Sequence, residues 1–349
     1  MTHHVFRHGD ARYLTAVADE SVHLVVTSPP YPMIAMWDDA FSAMDPGIAE
    51  ALSSGKGEEA FDGMHRQLDK AWEECRRILV PGGFLCINVG DATRTVEGSF
   101  RLYPNHARII QSVEALGLTN LPSVVWRKAT NAPTKFMGSG MLPAGAYVTL
   151  EHEHILIFRK GAKRPDLDPS LRRRSAIFWE ERNAWFSDLW ELTGTRQAVS
   201  RGPGESGRSA AFPVEIAFRL ILMYSVLEDT VLDPFAGTGT TMAVAAAVGR
   251  NSLGFDSDEA AVAVAGRVVP TLFGAAAPEG MAAIFETARA RALRRRSDHE
   301  AFVAERGAES FKHYNQSLGL PVMTGQEREM EPYAASGLRP LGGGRFEAE

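Results

Sequence analysis

Val231-Leu232-Asp233-Pro234-Phe235-Ala236-Gly237-Thr238-Gly239-Thr240-Thr241 reads as the end of a buried strand, a glycine-bearing turn and the opening of a helix. Glycine accepts the backbone of a tight turn and lets a ligand approach the chain closely. The helix beyond, read over 241–248, offers unpaired N–H groups at its first turn. A second apolar strand, 252–255, ends at Asp256, nineteen residues after Gly237. A carboxylate there accepts hydrogen bonds from ribose hydroxyls in dinucleotide folds. No lysine follows the second glycine, which excludes a Walker loop, and Met242 stands where a complete GxGxxG needs its last glycine. A glycine turn without a ligand is the competing reading of the loop alone.

Outward from that stretch, short apolar runs recur at 22–26 (VHLVV), 84–89 (FLCINV), 123–126 and 154–158. They do not alternate, as expected of strands buried on both faces of a parallel sheet. Helical patterns lie between them at 61–79 and 214–227. The first sets Met64, Leu68, Ala71, Trp72, Cys75, Ile78 and Leu79 on one stripe and is stopped by Pro81-Gly82-Gly83. Strand alternating with helix predicts an α/β fold with a doubly wound, mostly parallel sheet. Residues 32–60 read as a long loop with a short helix, 161–210 as a segment without period, 282–296 as a basic helix, and the final ~20 residues as a flexible tail.

The chain has 349 residues, 37 basic and 43 acidic, a net charge of −6. That is not a generic polyanion binder, although clustered basic residues would still engage nucleic acid. Two cysteines, Cys75 and Cys86, make neither a disulfide framework nor a zinc pattern, and a reducing cytoplasm is the expected location. The N-terminus has no leader pattern, and no run reaches the ~20 apolar residues of a membrane span. His152 and His154 read as a strand-edge pair, with metal ligation as the alternative; no metal is expected.

A second motif, Thr27-Ser28-Pro29-Pro30-Tyr31, follows the strand at 22–26. Two prolines fix their own φ and restrict the residue before each, so Ser28 and Tyr31 are held in set directions. A plain strand-ending turn is the alternative. The two motifs together resemble the amino-methyltransferases that use S-adenosylmethionine. The form Val26-Thr-Ser-Pro-Pro-Tyr31 looks like the signature of the cytosine-N4 DNA methyltransferases, and the order, catalytic turn before glycine loop, is similar to the β-class arrangement. Further matches in the family's order are 79–91, 126–133, 152–158, Asp188-Leu-Trp190 and Phe212-Pro213, so the resemblance spans roughly residues 5–270. Two positions depart from it. Arg208 stands where the family has a histidine, and Asp256 where it has a glutamate.

The resemblance implies a Rossmann-like methyltransferase fold with permuted motif order. Residues 1–160 would be the catalytic half, 161–207 a target-recognition segment, 208–273 the cofactor half and 274–349 a helical extension with a tail. It implies a catalytic set of Ser28, Pro29, Pro30 and Tyr31. Ser28 Oγ and the Pro29 carbonyl would accept the amine hydrogens of the target base, and Tyr31 would stack on it. The cofactor would meet Asp10, Thr27, Phe212, Pro213, Asp233, Pro234, Phe235, Ala236, Gly237, Thr238, Gly239, Thr240, Thr241 and Asp256. Asp10 also reads as a surface helix cap, and Phe212 as a core residue. The partner would be double-stranded DNA with its target base flipped out. Phosphate or base contacts fall to Lys128, Lys135, Arg172, Arg173, Arg174, Arg201, Arg208 and the 294–296 run, a solvated charged face being the alternative for each. A homodimer and a cognate restriction endonuclease are further expectations. An adenine-N6 methyltransferase, a nicotinamide-dependent oxidoreductase and a non-catalytic DNA-binding module are the rivals.

Overall fold

A computed structural model describes residues 1–128, 137–138, 144–193, 212–259, 262 and 281–349. Among these, ten strands form one sheet in the order β10-β6-β9-β3-β2-β11-β12-β1-β16-β15. They are β1 (Thr2–His8), β2 (Val22–Thr27), β3 (Leu79–Val89), β6 (Leu118–Lys128), β9 (His152–Lys160), β10 (Leu189–Leu192), β11 (Thr230–Asp233), β12 (Asn251–Asp256), β15 (Leu338–Gly342) and β16 (Arg345–Ala348). Three ribbons lie apart: β4 (Ala92–Val96) with β5 (Ser99–Tyr103), β7 (Met137–Gly138) with β8 (Ala146–Tyr147), and β13 (His313–Asn315) with β14 (Leu320–Val322). The five central strands β3, β2, β11, β12 and β1 are parallel, and β9 runs antiparallel between β3 and β6.

The apolar runs fill two cores because successive strand residues point to opposite faces. In β2, Leu24 and Val26 enter the core that holds Val231, Ile221, Val244 and Phe285, while Val25 enters the one that holds Leu68, Trp72 and Ile87. The second core is covered by α3 (Gly57–Ile78) and α4 (Asn105–Ala115). Every residue of the predicted α3 stripe is buried. The first core is covered by α7 (Val214–Tyr224), α8 (Thr240–Ala247) and α9 (Met281–Arg306). Gly254 of β12 allows α8 to lie close, since a Cβ there would stand 2.2 Å from Met242 Sδ.

The fold corrects four readings. Residues 32–60 carry α1 (Asp38–Met44), α2 (Pro46–Ser53) and the start of α3; Phe41 and Ile48 are buried, and Asp45 caps α2 by accepting from Gly47 N ahead of Pro46. Pro81-Gly82-Gly83 does not merely stop α3, because β3 begins at Leu79 and includes it. The basic helix extends to Arg306, and its charges serve packing. Arg291 pairs with Glu215, and Arg295 with Glu181 of α6 (Trp179–Trp185). His299 stacks on Phe178 at 4.2 Å and bonds Glu180 and the Pro321 carbonyl. Finally, 338–348 is no tail. β15 and β16 form a hairpin that pairs antiparallel with β1 and buries Leu338 and Phe346, each 2% exposed.

Burying one large apolar side chain stabilises by about 1.5–3 kcal/mol. Truncation after residue 337 removes two such anchors and bares the edge of β1. The truncated chain is expected to lose roughly 3 kcal/mol or more and to self-associate, as read by urea melts and sedimentation. Unchanged stability would show that the hairpin is not part of the folded unit.

Candidate active site

Strands β2, β3, β11 and β12 are mutually parallel, so their carboxyl ends open on one face of the molecule. The Ser28 turn leaves β2 there and the glycine loop leaves β11, the adjacent strand. One carboxylate joins them. Asp233 Oδ1 accepts from Thr27 Oγ1 at 2.7 Å and from Phe235 N at 3.1 Å, and Oδ2 accepts from Thr241 Oγ1 at 2.7 Å. Asp233 and both threonines are buried. Burial pushes the Asp233 carboxyl up to about 6; the three donors oppose this, and nearby Asp256 adds to it.

Gly237 and Gly239 take φ of +50° and +80°, the left-handed region that the glycine spacing predicts. At Gly237 a Cβ would meet nothing within 4 Å, so the loop faces open space. Thr238 Oγ1 and Thr240 Oγ1 are buried without a hydrogen-bond partner among the described residues. Asp256 Oδ2 accepts from Gly237 N at 2.7 Å and Oδ1 from Asp258 N at 2.8 Å, so this carboxylate braces the loop as well as standing beside it. Pro234 and Ala236 are buried beneath the turn.

Four other residues expected at the cofactor make contacts within the protein itself. Asp10 holds Arg12 through both oxygens, with bonds of 2.6–3.0 Å, and this pairing lowers its carboxyl pKa against the effect of burial. Phe212 lies in the core, 6% exposed, and Pro213 caps α7. Phe235 packs edge-on against Trp72 with ring centroids 6.2 Å apart.

Around the catalytic turn the structure assembles groups that the motif alone did not reveal. Ser28 Oγ lies 3.0 Å from Tyr31 Oη, and Tyr31 Oη donates to Glu153 Oε2 at 2.9 Å. Asn88 Nδ2 donates to Tyr31 Oη at 2.9 Å and to Glu153 Oε2 at 2.6 Å. Lys128 Nζ closes the set on Glu153 Oε1. Burial, then the Glu153 charge, raises the Tyr31 phenol well above its ordinary value. Glu153 arrives because β9 is antiparallel, which brings its amino end to the face where β3 ends. Its signal in the sequence was a carboxylate at the head of an otherwise apolar strand, since a buried charge requires partners.

Asn105 supports the turn by donating to the Pro32 and Gly90 carbonyls at 3.1 and 2.9 Å, and its Oδ1 bonds His65 Nε2 at 3.0 Å. Beside it, Asp91 accepts from His106 Nδ1 at 2.8 Å, and the His106 and His154 rings stack at 4.0 Å. Ligand atoms of these three residues lie within 4.8 Å of one another, and Asp91 is engaged with the His106 ring.

Of the basic residues expected at DNA, Lys128, Arg173 and Arg174 make ion pairs within the protein. Lys128 is held by buried Glu153, over the Trp126 ring. Arg172, Arg173 and Arg174 belong to α5 (Pro169–Arg174), at the opposite, amino-terminal edge of the parallel strands. There Arg164 pairs with Asp229, just ahead of β11, and Ser175 Oγ accepts from Leu227 N. Arg173 and Arg174 pair with Glu329 and Glu331. The first part of the expected recognition segment is therefore remote from Ser28. Lys135, Arg201 and Arg208 lie outside the described residues.

A parallel α/β sheet with a glycine loop and a Ser-Pro-Pro-Tyr turn on one face defines an amino-methyltransferase class of site. Residues 22–267 match the N6/N4 methyltransferase family, described as DNA methylase. The chain is 43% identical over 352 residues to the type II methyltransferase M.MthZI of Methanothermobacter thermautotrophicus, covering 99% of this chain and 94% of that one. It is 49% identical over 271 residues to M.MjaI of Methanocaldococcus jannaschii, covering 74% and 88%. A Thermus thermophilus protein, TTHA0409, solved with S-adenosylmethionine, is 33% identical with a TM-score of 0.58, covering 76% and 93%. The cytosine-N4-specific PvuII DNA methyltransferase shares the fold at 17% identity and a TM-score of 0.52 over 76% and 86%. The chain belongs to the N6/N4 family of DNA methylases.

Asp233→Ala leaves three donors without an acceptor, at roughly 1–3 kcal/mol for each buried group. The variant is expected to lose several kcal/mol in urea melts. The raised carboxyl also sets a sign. The native state holds its proton up to about pH 6, whereas an ordinary carboxyl at 3.8 has lost it. Its stabilising contribution is full below pH 3.8 and is lost as pH rises through 6. The stability difference between wild type and Asp233→Asn should shrink across that window. A difference independent of pH would contradict the assignment.

Proposed function

We propose that the protein transfers a methyl group from S-adenosylmethionine to the exocyclic N4 amine of a flipped-out cytosine in double-stranded DNA. The observation that carries this reading is the Thr27–Asp233–Thr241 clamp, which holds a base-facing turn and a ligand-facing loop on neighbouring strands.

The residues fit the cofactor. Open space at Gly237, the hydroxyls of Thr238 and Thr240, which have no partner among the described residues, and the Asp256 carboxylate at the end of β12 form a polar cradle beside the N-terminus of α8. When bound, S-adenosylmethionine supplies an electrophilic methyl carbon on a sulfonium. The chain's task lies with the amine, whose lone pair is delocalised into the base. Ser28 Oγ and the Pro29 carbonyl take its two hydrogens, which turns nitrogen toward a tetrahedral, more nucleophilic form. Tyr31, pinned by its hydroxyl, keeps a rigid ring beside them, as a stacking surface requires. Stacking of ~1–3 kcal/mol returns part of the few kcal/mol spent on flipping. No protein nucleophile is required. Cys75 and Cys86 are fully buried, and burial raises both thiols far above the usual range.

Adenine N6 is the second reading, because it too presents an amine beside a ring acceptor. Cytosine is favoured by the Thr27–Tyr31 signature.

Purified protein incubated with unmethylated bacterial DNA and labelled S-adenosylmethionine should yield N4-methylcytosine on nucleoside analysis. Ser28→Ala should lower the transfer rate by about 10²-fold or more while S-adenosylhomocysteine still raises the Tm. N6-methyladenine would overturn the base assignment, and unlabelled DNA would overturn the function.

A further inference from the structure

Ser28 carries one hydrogen and two lone pairs, so it could face a bound amine as donor or acceptor. Only an acceptor activates the amine. The hydrogen-bond inventory around Tyr31 settles which. Among the described residues, three groups surround Tyr31 Oη: Glu153 Oε2 at 2.9 Å, Asn88 Nδ2 at 2.9 Å and Ser28 Oγ at 3.0 Å. Asn88 Nδ2 only donates, and an ionised Glu153 only accepts. The single phenolic hydrogen must therefore go to Glu153; otherwise two oxygen lone pairs would face each other at 2.9 Å. Tyr31 Oη is left to accept, and Ser28 becomes its donor. With its hydrogen turned inward, Ser28 presents lone pairs to the base. Lys128, on the other carboxylate oxygen, compensates the Glu153 charge. Gly90 makes the approach feasible, since a Cβ there would stand 3.1 Å from the Tyr31 ring and 3.3 Å from Glu153 Cγ.

We infer that Glu153 is a positioning residue and proton sink for methyl transfer, acting on Ser28 through Tyr31. The inference rests on the proposed methyltransferase reading. As the new nitrogen–carbon bond forms, the bond from that carbon to sulfur breaks and the sulfonium becomes a neutral thioether. The positive charge passes to the base amine, which must then lose one proton. That proton goes to Ser28 Oγ, the Ser28 hydrogen to Tyr31 Oη, and the Tyr31 hydrogen to Glu153 Oε2. The relay ends with a neutral carboxyl beside the Lys128 ammonium, and charge is conserved. Lys128, with its side chain 37% exposed, lies where water can then take the proton away.

The test compares Glu153→Gln, Tyr31→Phe and the double variant in single-turnover methyl transfer to DNA, with S-adenosylhomocysteine binding as the measure of an intact fold. Glu153→Gln should lower the single-turnover rate by about 10²-fold with cofactor affinity and KM for DNA unchanged. In the Tyr31→Phe background the same substitution should cost almost nothing, because the relay is already cut. Glu153→Asp should restore part of the rate. Additive losses, or a Glu153→Gln variant as fast as wild type, would overturn the relay while leaving the methyltransferase reading intact. A wild-type protein that transfers no methyl to DNA would overturn both. If Glu153→Gln loses cofactor binding, the double-variant comparison still decides on the Tyr31→Phe background at saturating cofactor.

Discussion

A single buried carboxylate organises the molecule's working face. Asp233 ends β11, and its two oxygens hold the last residue of β2, the first turn of α8 and the backbone of the glycine loop. Parallel pairing sets β2 and β11 side by side, but pairing alone does not fix where the chains go once they leave the sheet. The Asp233 bonds do. Their cost is visible in the raised carboxyl, since a charge removed from water is tolerated only when several donors meet it.

The remainder of the site is built by a strand that runs against its neighbours. Antiparallel β9 presents its amino end where β3 and β2 present carboxyl ends, and so brings Glu153 and His154 to Tyr31 and Asp91. Asn105, at the start of α4, ties the Pro32 and Gly90 loops into the same frame. The turn is thus supported from β3, β9 and α4, as a site that must hold reacting groups to within fractions of an ångström requires.

Legibility in the sequence follows from the range of each interaction. Strands β2, β3, β11 and β12 with α3, α7 and α8 were readable because their apolar periodicity is local, and the two motifs were readable because turns need particular residues at particular places. The carboxyl-terminal hairpin was not, because its partner β1 lies more than 300 residues away in the chain. Nor was the role of Glu153, which depends on register between β9 and β3. The partners of the basic residues were hidden for a related reason. Arg173, Arg174 and Arg295 look like a polyanion surface in one dimension, yet each meets a carboxylate from a distant segment. Asp10 was similarly claimed by Arg12, two residues on.

The claim on which everything else rests is that the Ser28 turn and the glycine loop form one site. A crystal structure with S-adenosylhomocysteine tests it most directly. The account predicts the adenosine against Gly237–Thr240, the sulfur directed toward the Ser28–Pro29 turn, and the Thr27–Asp233 hydrogen bond intact. A ligand seated away from that turn, or a loop that breaks from Thr27 to admit it, would contradict the account.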